Sequence, residues 1–257
     1  LIGNSSYCDY FKKKYKIKSF LSTNKTNQFP YFFSKSKIKK SLKKNINISK
    51  NFIITLSSGS TAKPKPIVYS QNTKIIRYKL FKKLYNISRK DTFIVTSPID
   101  HSLGMRTLFV PLLVGATCVV LNKFNVPLYC KSVEKYKVTF SVLIASQIYE
   151  IVKKKIFFKN FFLSKGLISA STKLFNSVKN KIISKKINLY EMYGTAEIGT
   201  ITSINHLKDK KNFESVGRTY HKLINIKILS DQNKFMPTNK AGEIVCRTPA
   251  KLKFYLG

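Results

Sequence analysis

The sequence has few acidic residues, few cysteines and few glycines or prolines, and each shortage excludes a class of protein. Ten glycines and eight prolines in 257 residues are too few for a fibrous or low-complexity chain. The most apolar stretch, Thr107 to Leu121, contains Pro111 and Gly115 and is shorter than the roughly 20 apolar residues of a membrane-spanning helix. We therefore expect no membrane span. The 43% of hydrophobic residues predict a packed core.

The four cysteines, Cys8, Cys118, Cys130 and Cys246, lie far apart, and no C-x-x-C pair offers the spacing of a zinc site. Cys118 falls in an apolar run, so we expect it to be buried. The cysteine usage suits a reducing compartment, and the first residues do not resemble a secretory signal, which predicts a cytoplasmic protein. Because the first residue is Leu1, either the start is processed or the sequence is a piece of a longer chain.

Acidic residues are so scarce that the chain carries a formal charge of +37, from 48 basic and 11 acidic residues. Such an excess either serves nucleic-acid binding or reflects composition alone. Only five of the basic residues are arginines, whereas sequence-specific nucleic-acid readers rely on arginine. The lysines are spread along the chain among the Asn, Ile and Phe residues that AT-rich codons supply. We therefore expect no specific nucleic-acid partner.

Short apolar runs alternate with helical patterns from residue 51 onward. Strands are predicted at 52–56, 92–96, 117–121, 139–144, 166–169 and 187–190. Helices are predicted from Ser70, a candidate N-cap, and at 103–114, 128–136, 146–154 and about 174–182. This alternation predicts an α/β fold with a mostly parallel sheet flanked by helices over residues 51–204. Turn-linked strands predict a smaller β-rich subdomain at 205–257, whereas the polar residues 1–50 give no clear assignment.

Three segments suggest chemistry. A loop rich in hydroxyl groups follows the first strand and could offer hydroxyl and backbone N–H donors to phosphate, although an ordinary surface loop would look similar. His101 follows a strand end, where α/β sheets bind ligands, but a lone histidine is more often structural. Glu197 follows an apolar strand and the turn at Gly194. Its carboxylate could hold Mg²⁺ beside a nucleotide or cap a helix.

In order along the chain, these segments resemble the motifs of the adenylate-forming (AMP-binding) superfamily, which includes acyl-CoA synthetases, luciferases and peptide-synthetase adenylation domains. Residues 57–66 resemble the loop [ST]SG[ST]TGxPKG, and residues 193–197 are similar to YGxTE. Residues 98–104 resemble the family's histidine segment. Looser matches occur at 169–174 (SGGAPL), at 217–218 (GR) and between 242 and 256 (GEI…GYL). The resemblance covers about residues 51–257.

The sequence also departs from the family pattern. Ala62, Pro66 and Ala170 stand where the family usually has glycine, and Ala196 replaces a frequent threonine. The ribose-binding aspartate and the C-terminal domain with its catalytic lysine have no counterpart in this sequence. We therefore expect the central part of the family's N-terminal domain, truncated at both ends and without the catalytic-lysine domain.

The resemblance implies ATP-dependent activation of a carboxylic acid to an acyl-adenylate, with release of pyrophosphate and transfer to a thiol such as coenzyme A. It implies phosphate contacts from Ser57, Ser58, Gly59, Ser60, Thr61 and Lys65. It implies an adenine site formed by Ser169, Ala170, Ser171, Tyr193 and Gly194. It also implies a catalytic group in which Glu197 binds Mg²⁺ and His101 and Thr195 face the acid's carboxylate.

Two alternatives stay open at this point. An amino-acid adenylation domain that loads a carrier protein would use an acidic residue such as Asp100 to pair with the substrate's amine. An inactive truncated remnant would explain the replaced glycines. The identity of the acid is not encoded in these motifs.

Overall fold

The computed structural model describes residues 2–3, 21–22, 47–57, 65–99, 101–154 and 163–256. The described strands are β1 (Ile2–Gly3), β2 (Leu21–Ser22), β3 (Asn51–Leu56), β4 (Pro66–Ser70), β5 (Thr92–Val95), β6 (Thr117–Val120), β7 (Phe140–Ile144), β8 (Gly166–Ala170), β9 (Leu189–Thr195), β10 (Gly199–Asn205), β11 (Arg218–Thr219), β12 (Asn225–Leu229), β13 (Glu243–Arg247) and β14 (Phe254–Tyr255). The described helices are α1 (Gln71–Leu84), α2 (Ser102–Val114), α3 (Val126–Lys135), α4 (Ala145–Lys153) and α5 (Asn176–Ile183).

The largest sheet has seven strands in the order β6-β5-β7-β8-β9-β10-β11. The five strands from β6 to β9 pair in parallel, and β10 and β11 add antiparallel strands at one edge. The predicted α/β fold with a mostly parallel sheet is therefore confirmed. The strand order reverses at β5, because the chain first adds β6 on one side and then β7 on the other. Open α/β sheets bind ligands outside the carboxyl ends of their strands at such a reversal.

The core lies on both faces of this sheet, because successive strand residues point to opposite sides. Ile94 and Leu143 pack on the face covered by α3, α4 and α5. Phe93 and Val142 pack on the other face, against α1 and α2. Cys118 is buried, as the sequence predicts. Within the described ranges, each helix is too short or too polar to cross a bilayer.

Helix α1 begins where the sequence predicts it. Ser70 has extended backbone angles, and its hydroxyl accepts a hydrogen bond of 3.1 Å from the backbone N–H of Thr73. This bond satisfies one of the donors that a helix start leaves unpaired. The N-cap prediction is confirmed. Since β4 leads directly into α1, the cap also fixes the direction in which the helix leaves the small sheet.

The strand predicted at 52–56 is present, but the expectation that it joins the parallel sheet is wrong. It forms β3 of a separate antiparallel sheet, ordered β14-β4-β3. The reason is β4, a buried strand that the sequence analysis did not predict, which folds back on β3 after the hydroxyl-rich loop. That loop is therefore the connection of an antiparallel hairpin and not the end of a parallel strand.

The strands after residue 205 join three different sheets. β11 extends the large sheet, β12 and β13 form a two-stranded antiparallel ribbon, and β14 pairs with β4 in the small sheet. β1 and β2 form a short parallel pair of their own. The division into a core at 51–204 and a subdomain at 205–257 stays a prediction.

Candidate functional site

The hydroxyl-rich loop is closed at its base by two hydrogen bonds. The backbone N–H of Ser57 donates to the carbonyl of Lys65, and the N–H of Lys65 donates to the Ser57 hydroxyl, both at 2.9 Å. The structure thus describes the two ends of the loop. The predicted phosphate-contacting residues Ser58, Gly59, Ser60 and Thr61 lie outside the described residues.

β14 connects the base of this loop to Glu197. Tyr255 of β14 pairs with Ile67 of β4, one strand residue beyond the loop. Its hydroxyl lies 3.1 Å from Oε1 of Glu197, and the ammonium group of Lys65 lies 5.8 Å from its ring centroid. One aromatic side chain therefore contacts both a predicted phosphate-binding cation and the predicted metal-binding carboxylate.

The backbone around Glu197 is held by donors from distant parts of the chain. The buried Tyr69 donates its hydroxyl to the carbonyl of Ala196 at 2.7 Å. Arg77 donates to the carbonyls of Glu197 and Ala250, each at 2.8 Å. Since these contacts use main-chain oxygens, they fix the turn between β9 and β10 without occupying the Glu197 carboxylate.

The Glu197 carboxylate is ionised at neutral pH. Partial burial alone would raise its pKa. Hydrogen bonds from Thr195, from its own backbone N–H and from Tyr255, together with the charge of Arg77, hold the pKa below its usual value. The side chain is half-buried in the turn between β9 and β10. It is therefore a fixed negative charge beside the loop, in a chain with few acidic residues.

The predicted adenine-side residues lie at the ends of two neighbouring parallel strands. Ser169 and Ala170 end β8 and are buried, whereas Tyr193 and Gly194 lie in β9. Among the described residues, the Ser169 hydroxyl has no hydrogen-bond partner. A side chain at Gly194 would collide with the carbonyl of Gly199 on β10, which explains glycine at that position.

Ser171 follows β8 with a φ of +79°, in the left-handed region that favours glycine. It is exposed and stands where the SGGAPL-like pattern has its second glycine. The backbone at Ser171 is therefore strained for a residue that has a side chain.

His101 lies apart from this group. It is exposed at the carboxyl end of β5 and is the N-cap residue of α2, although its side chain makes no capping bond. Thr195 is exposed at the end of β9. In the part of the chain that the structure describes, no hydrogen bond or salt bridge joins His101 to Thr195 or to Glu197. Asp100, the residue behind the amino-acid alternative, lies outside the described residues.

Sequence reasoning missed Tyr255, Arg77 and Arg106. Arg106 of α2 donates to the Thr200 hydroxyl at 2.7 Å and lies 3.7 Å from the Met192 sulfur, next to the predicted motif. The rarity of arginine in a lysine-rich chain was a usable signal, because two of the five arginines lie here. Tyr255 is the tyrosine of the GYL-like pattern, but that pattern did not predict its contact with Glu197.

A second carboxylate, that of Glu191, lies two residues before the motif at 193–197, and both of its oxygens have partners within the protein. Glu191 is buried on β9, and its Oε2 lies 2.6 Å from Nε2 of His206 and 2.5 Å from the ammonium group of Lys179. Its Oε1 accepts a 2.9 Å bond from the backbone N–H of Leu174. Lys179 also donates to the carbonyl of Phe213. This cluster joins α5, β9 and the segment after β10, and leaves no room for a ligand on the carboxylate.

Several known proteins are similar to this chain in sequence and in fold. The family described as AMP-binding enzyme matches residues 12–256. Indoleacetate–CoA ligase of Aromatoleum aromaticum is 24% identical over 206 residues, which are 79% of this chain and 40% of that protein. Luciferin 4-monooxygenase of Nipponoluciola cruciata is 26% identical over 213 residues, or 79% of this chain and 38% of that protein.

Solved structures agree with the fold. The inhibitor-bound N-terminal domain of FACL13 from Mycobacterium tuberculosis superposes with a TM-score of 0.74 at 16% identity, covering 82% of this chain and 54% of that one. The chain spans about 40% of the length of the curated relatives it matches. Because the family match extends over nearly the whole sequence, the chain belongs to the AMP-binding enzyme family of adenylate-forming acid–thiol ligases.

Proposed function

We propose that this chain contributes the ATP- and acid-binding part of an enzyme that activates a carboxylic acid to an acyl-adenylate, releases pyrophosphate and transfers the acyl group to a thiol. The single observation that carries the proposal is Tyr255, which contacts Lys65 at the base of the hydroxyl-rich loop and Glu197 in the facing turn. Phosphoryl chemistry needs donors to the phosphates and a fixed negative charge for the metal side by side.

Each group has a role in this proposal. The loop from Ser57 through Thr61, together with Lys65, binds the phosphates of ATP and neutralises their charge. Tyr193 stacks on adenine, and the segment 169–171 with Gly194 forms the other side of that pocket. His101 and Thr195 orient the acid's carboxylate toward the α-phosphorus.

The residues around Glu197 fit a magnesium ion. Mg²⁺ commonly binds one or two carboxylates together with substrate phosphates and water. The carboxylate is ionised, and its two oxygens offer about four acceptor positions, of which the hydroxyls of Thr195 and Tyr255 and the backbone N–H of Glu197 itself use three. Within the described ranges, no three acidic, histidine or cysteine side chains converge, at Glu197 or at any other place, so Glu197 would be the single carboxylate ligand. When bound, the ion would neutralise charge that develops on the phosphates, with Glu197 as its protein ligand.

Coenzyme A is the proposed thiol. Indoleacetate–CoA ligase is one of the curated relatives, and o-succinylbenzoate CoA synthetase of Bacillus subtilis, solved in complex with AMP, has the same fold at a TM-score of 0.72. A carrier-protein thiol is the other outcome, and Asp100 is the residue that would favour it. The absence of a specific nucleic-acid partner stays a prediction.

Equilibrium binding of Mg·ATP to the full chain tests the nucleotide site. Glu197→Gln keeps the size of the side chain and removes its charge, so we expect Mg·ATP affinity to fall about tenfold or more. Glu243→Gln is the matched control, since Glu243 is exposed on β13, and it should bind as the wild type does. Equal Mg·ATP affinity in the wild type and in Glu197→Gln would contradict the assignment.

Pyrophosphate exchange tests the acid. Fatty, aromatic and amino acids are supplied in turn to the full-length protein that contains this chain. Exchange that depends on a simple acid supports the ligase, and exchange that depends only on amino acids supports the carrier-protein alternative. Absence of exchange with every acid, despite Mg·ATP binding, would support the inactive remnant.

A further inference from the structure

A small cleft between α1 and α2 combines three cationic side chains with an apolar wall. Lys74 and Arg77 of α1 and Arg106 of α2 contribute the cations. Met105, Phe109 and Leu113 of α2 contribute apolar lining. A volume of about 30 Å³ corresponds to roughly two water molecules, which is the size of one carboxylate group.

Within the described chain, none of these three cations forms a salt bridge. The guanidinium of Arg77 donates to two backbone carbonyls, and the Arg106 guanidinium donates to the hydroxyl of Thr200. The ammonium group of Lys74 lies 3.7 Å from the centroid of the Tyr69 ring. Carbonyls, hydroxyls and rings stabilise cations but do not neutralise them.

The unbalanced positive charge of the cluster affects the pKa of Lys74. Burial, followed by the charges of Arg77 and Arg106, lowers the pKa of Lys74 to about 7. Buried charges are ordinarily paired, and Arg77 interacts with the charge of Glu197, whereas Lys74 and Arg106 have no salt bridge to an acidic residue among the described residues. An incoming anion would stabilise these two cations.

We infer that this cleft binds a second carboxylate on the acid substrate, so that the enzyme selects dicarboxylic acids over monocarboxylic ones. The inference rests on the proposed function for the identity of its ligand. The apolar wall would contact the hydrocarbon between the two carboxylates. Arg106 has guanidinium N–H donors that its bond to Thr200 does not use, and these would bind the distal carboxylate.

The cleft lies next to the proposed acid contact in the chain. Ser102, which also lines the cleft, directly follows His101, the proposed contact of the activated carboxylate. Adipate and hexanoate form a matched pair of probes, because they have the same number of carbons and differ only in the second carboxylate.

The test is a ligand-observed NMR titration of the full chain with adipate, hexanoate and inorganic phosphate, without nucleotide. We expect adipate to bind about tenfold more tightly than hexanoate, because a charge-assisted contact contributes about that factor. In Arg106→Met the two acids should bind equally. Arg89→Met, which removes an exposed arginine outside the cleft, should keep the preference.

Equal affinities in the wild type, or an adipate preference that survives Arg106→Met, would overturn the inference. Binding of phosphate that depends on Arg106, without any adipate preference, would also overturn it and would identify a free phosphate as the ligand. If circular dichroism shows that Arg106→Met is unfolded, Lys74→Met replaces it in the titration. We expect Lys74→Met to lose the preference for adipate in the same way. Since the titration contains no ATP, its failure is distinguishable from loss of Mg·ATP binding in Glu197→Gln.

Discussion

Glu191 and Glu197 lie only six residues apart in the sequence, but they differ in burial and in the partners of their carboxylates. Glu191 is buried in β9, and His206, Lys179 and a backbone N–H occupy its oxygens. Glu197 lies half-buried in the following turn, and its protein contacts are two hydroxyl groups and the charge of Arg77. The first carboxylate is neutralised by the protein itself, whereas the second keeps capacity for a ligand.

The difference shows how a chain with 11 acidic residues divides them between structure and function. A buried carboxylate with complete partners joins elements that are distant in sequence. A carboxylate whose backbone, rather than its side chain, is anchored can present its charge at a fixed position. The same contrast holds for the cations, because Lys179 is paired with a carboxylate and Lys74 is not.

Removing the charge of Glu191 should have the largest effect on stability. In Glu191→Gln, the fully buried Lys179 would lose its carboxylate partner. Breaking one side of a buried ion pair costs about 3–5 kcal/mol. We expect a decrease of that size in the free energy of unfolding, measured by urea denaturation. Glu214→Gln, which removes an exposed pair with Lys173, should leave the stability unchanged. Equal midpoints for both variants would show that the buried cluster contributes nothing.

The pH dependence of this variant has a defined sign. Burial alone would raise the pKa of Glu191, but the bonds from His206, Leu174 and Lys179 lower it below the ordinary value of 4.5. A carboxyl group whose pKa is lower in the folded state than in the unfolded state stabilises the fold at pH values above its unfolded-state pKa. This stabilisation is lost as the pH falls through the folded-state pKa. Between pH 5 and pH 3, the wild type should therefore lose more stability than Glu191→Gln.

Lys74 offers the opposite case, a cation whose burial lowers stability. Its pKa falls from 10.5 to about 7 in the folded state. Folding therefore weakens as the pH drops from about 10.5 toward 7, because the unfolded state binds the proton more tightly. Lys74→Met should raise the free energy of unfolding at pH 7 by about 1–3 kcal/mol, since one pKa unit corresponds to about 1.4 kcal/mol.

The measurement for Lys74→Met is denaturation at pH 7 and at pH 9.5, with Lys79→Met of the same helix as the control. The gain should shrink at the higher pH in Lys74→Met and should be absent from Lys79→Met. A gain that is equal at both pH values would mean that packing, rather than charge, causes it.

The parts of the fold that depend on local pattern were predictable from the sequence. The N-cap at Ser70 and the alternation of strands and helices from 92 to 190 follow from signals within a few residues of each other. β4 was missed because its five residues lie directly between a loop and a helix, although Ile67, Val68 and Tyr69 are typical strand residues. Its partners β3 and β14 come from distant segments or from across the loop. The assignment of 52–56 to the parallel sheet failed for the same reason.

The candidate site was predictable only in its motifs. The segments that carry Lys65 and Glu197 could be named, since each resembles a family pattern. Their connection through Tyr255, 58 residues beyond Glu197, depends on β14 pairing with β4. The bond from Arg77 to the Glu197 carbonyl spans 120 residues. Contacts of this kind arise from the arrangement of the sheets, and no local pattern in the sequence encodes them.

Tyr255→Phe is the smallest of these changes, because it removes a single hydroxyl group beside Glu197. The Tyr255 hydroxyl bonds to Oε1 of Glu197 and helps to keep its pKa low. One such hydrogen bond contributes about 0.5–1.5 kcal/mol, so we expect Mg·ATP affinity to fall about two- to tenfold. Stability should change little, because the ring remains in the exposed strand β14.

The control for Tyr255→Phe is Tyr149→Phe, which removes a hydroxyl bonded to the Lys173 carbonyl and to the Phe175 N–H, outside the proposed nucleotide site. Its Mg·ATP affinity should equal that of the wild type. If Tyr255→Phe also binds Mg·ATP as the wild type does, then anchoring of the backbone by Tyr69 and Arg77 is sufficient to orient Glu197. If its affinity falls as far as in Glu197→Gln, the hydroxyl itself contacts the nucleotide. An intermediate loss is the result expected of a residue that positions the carboxylate.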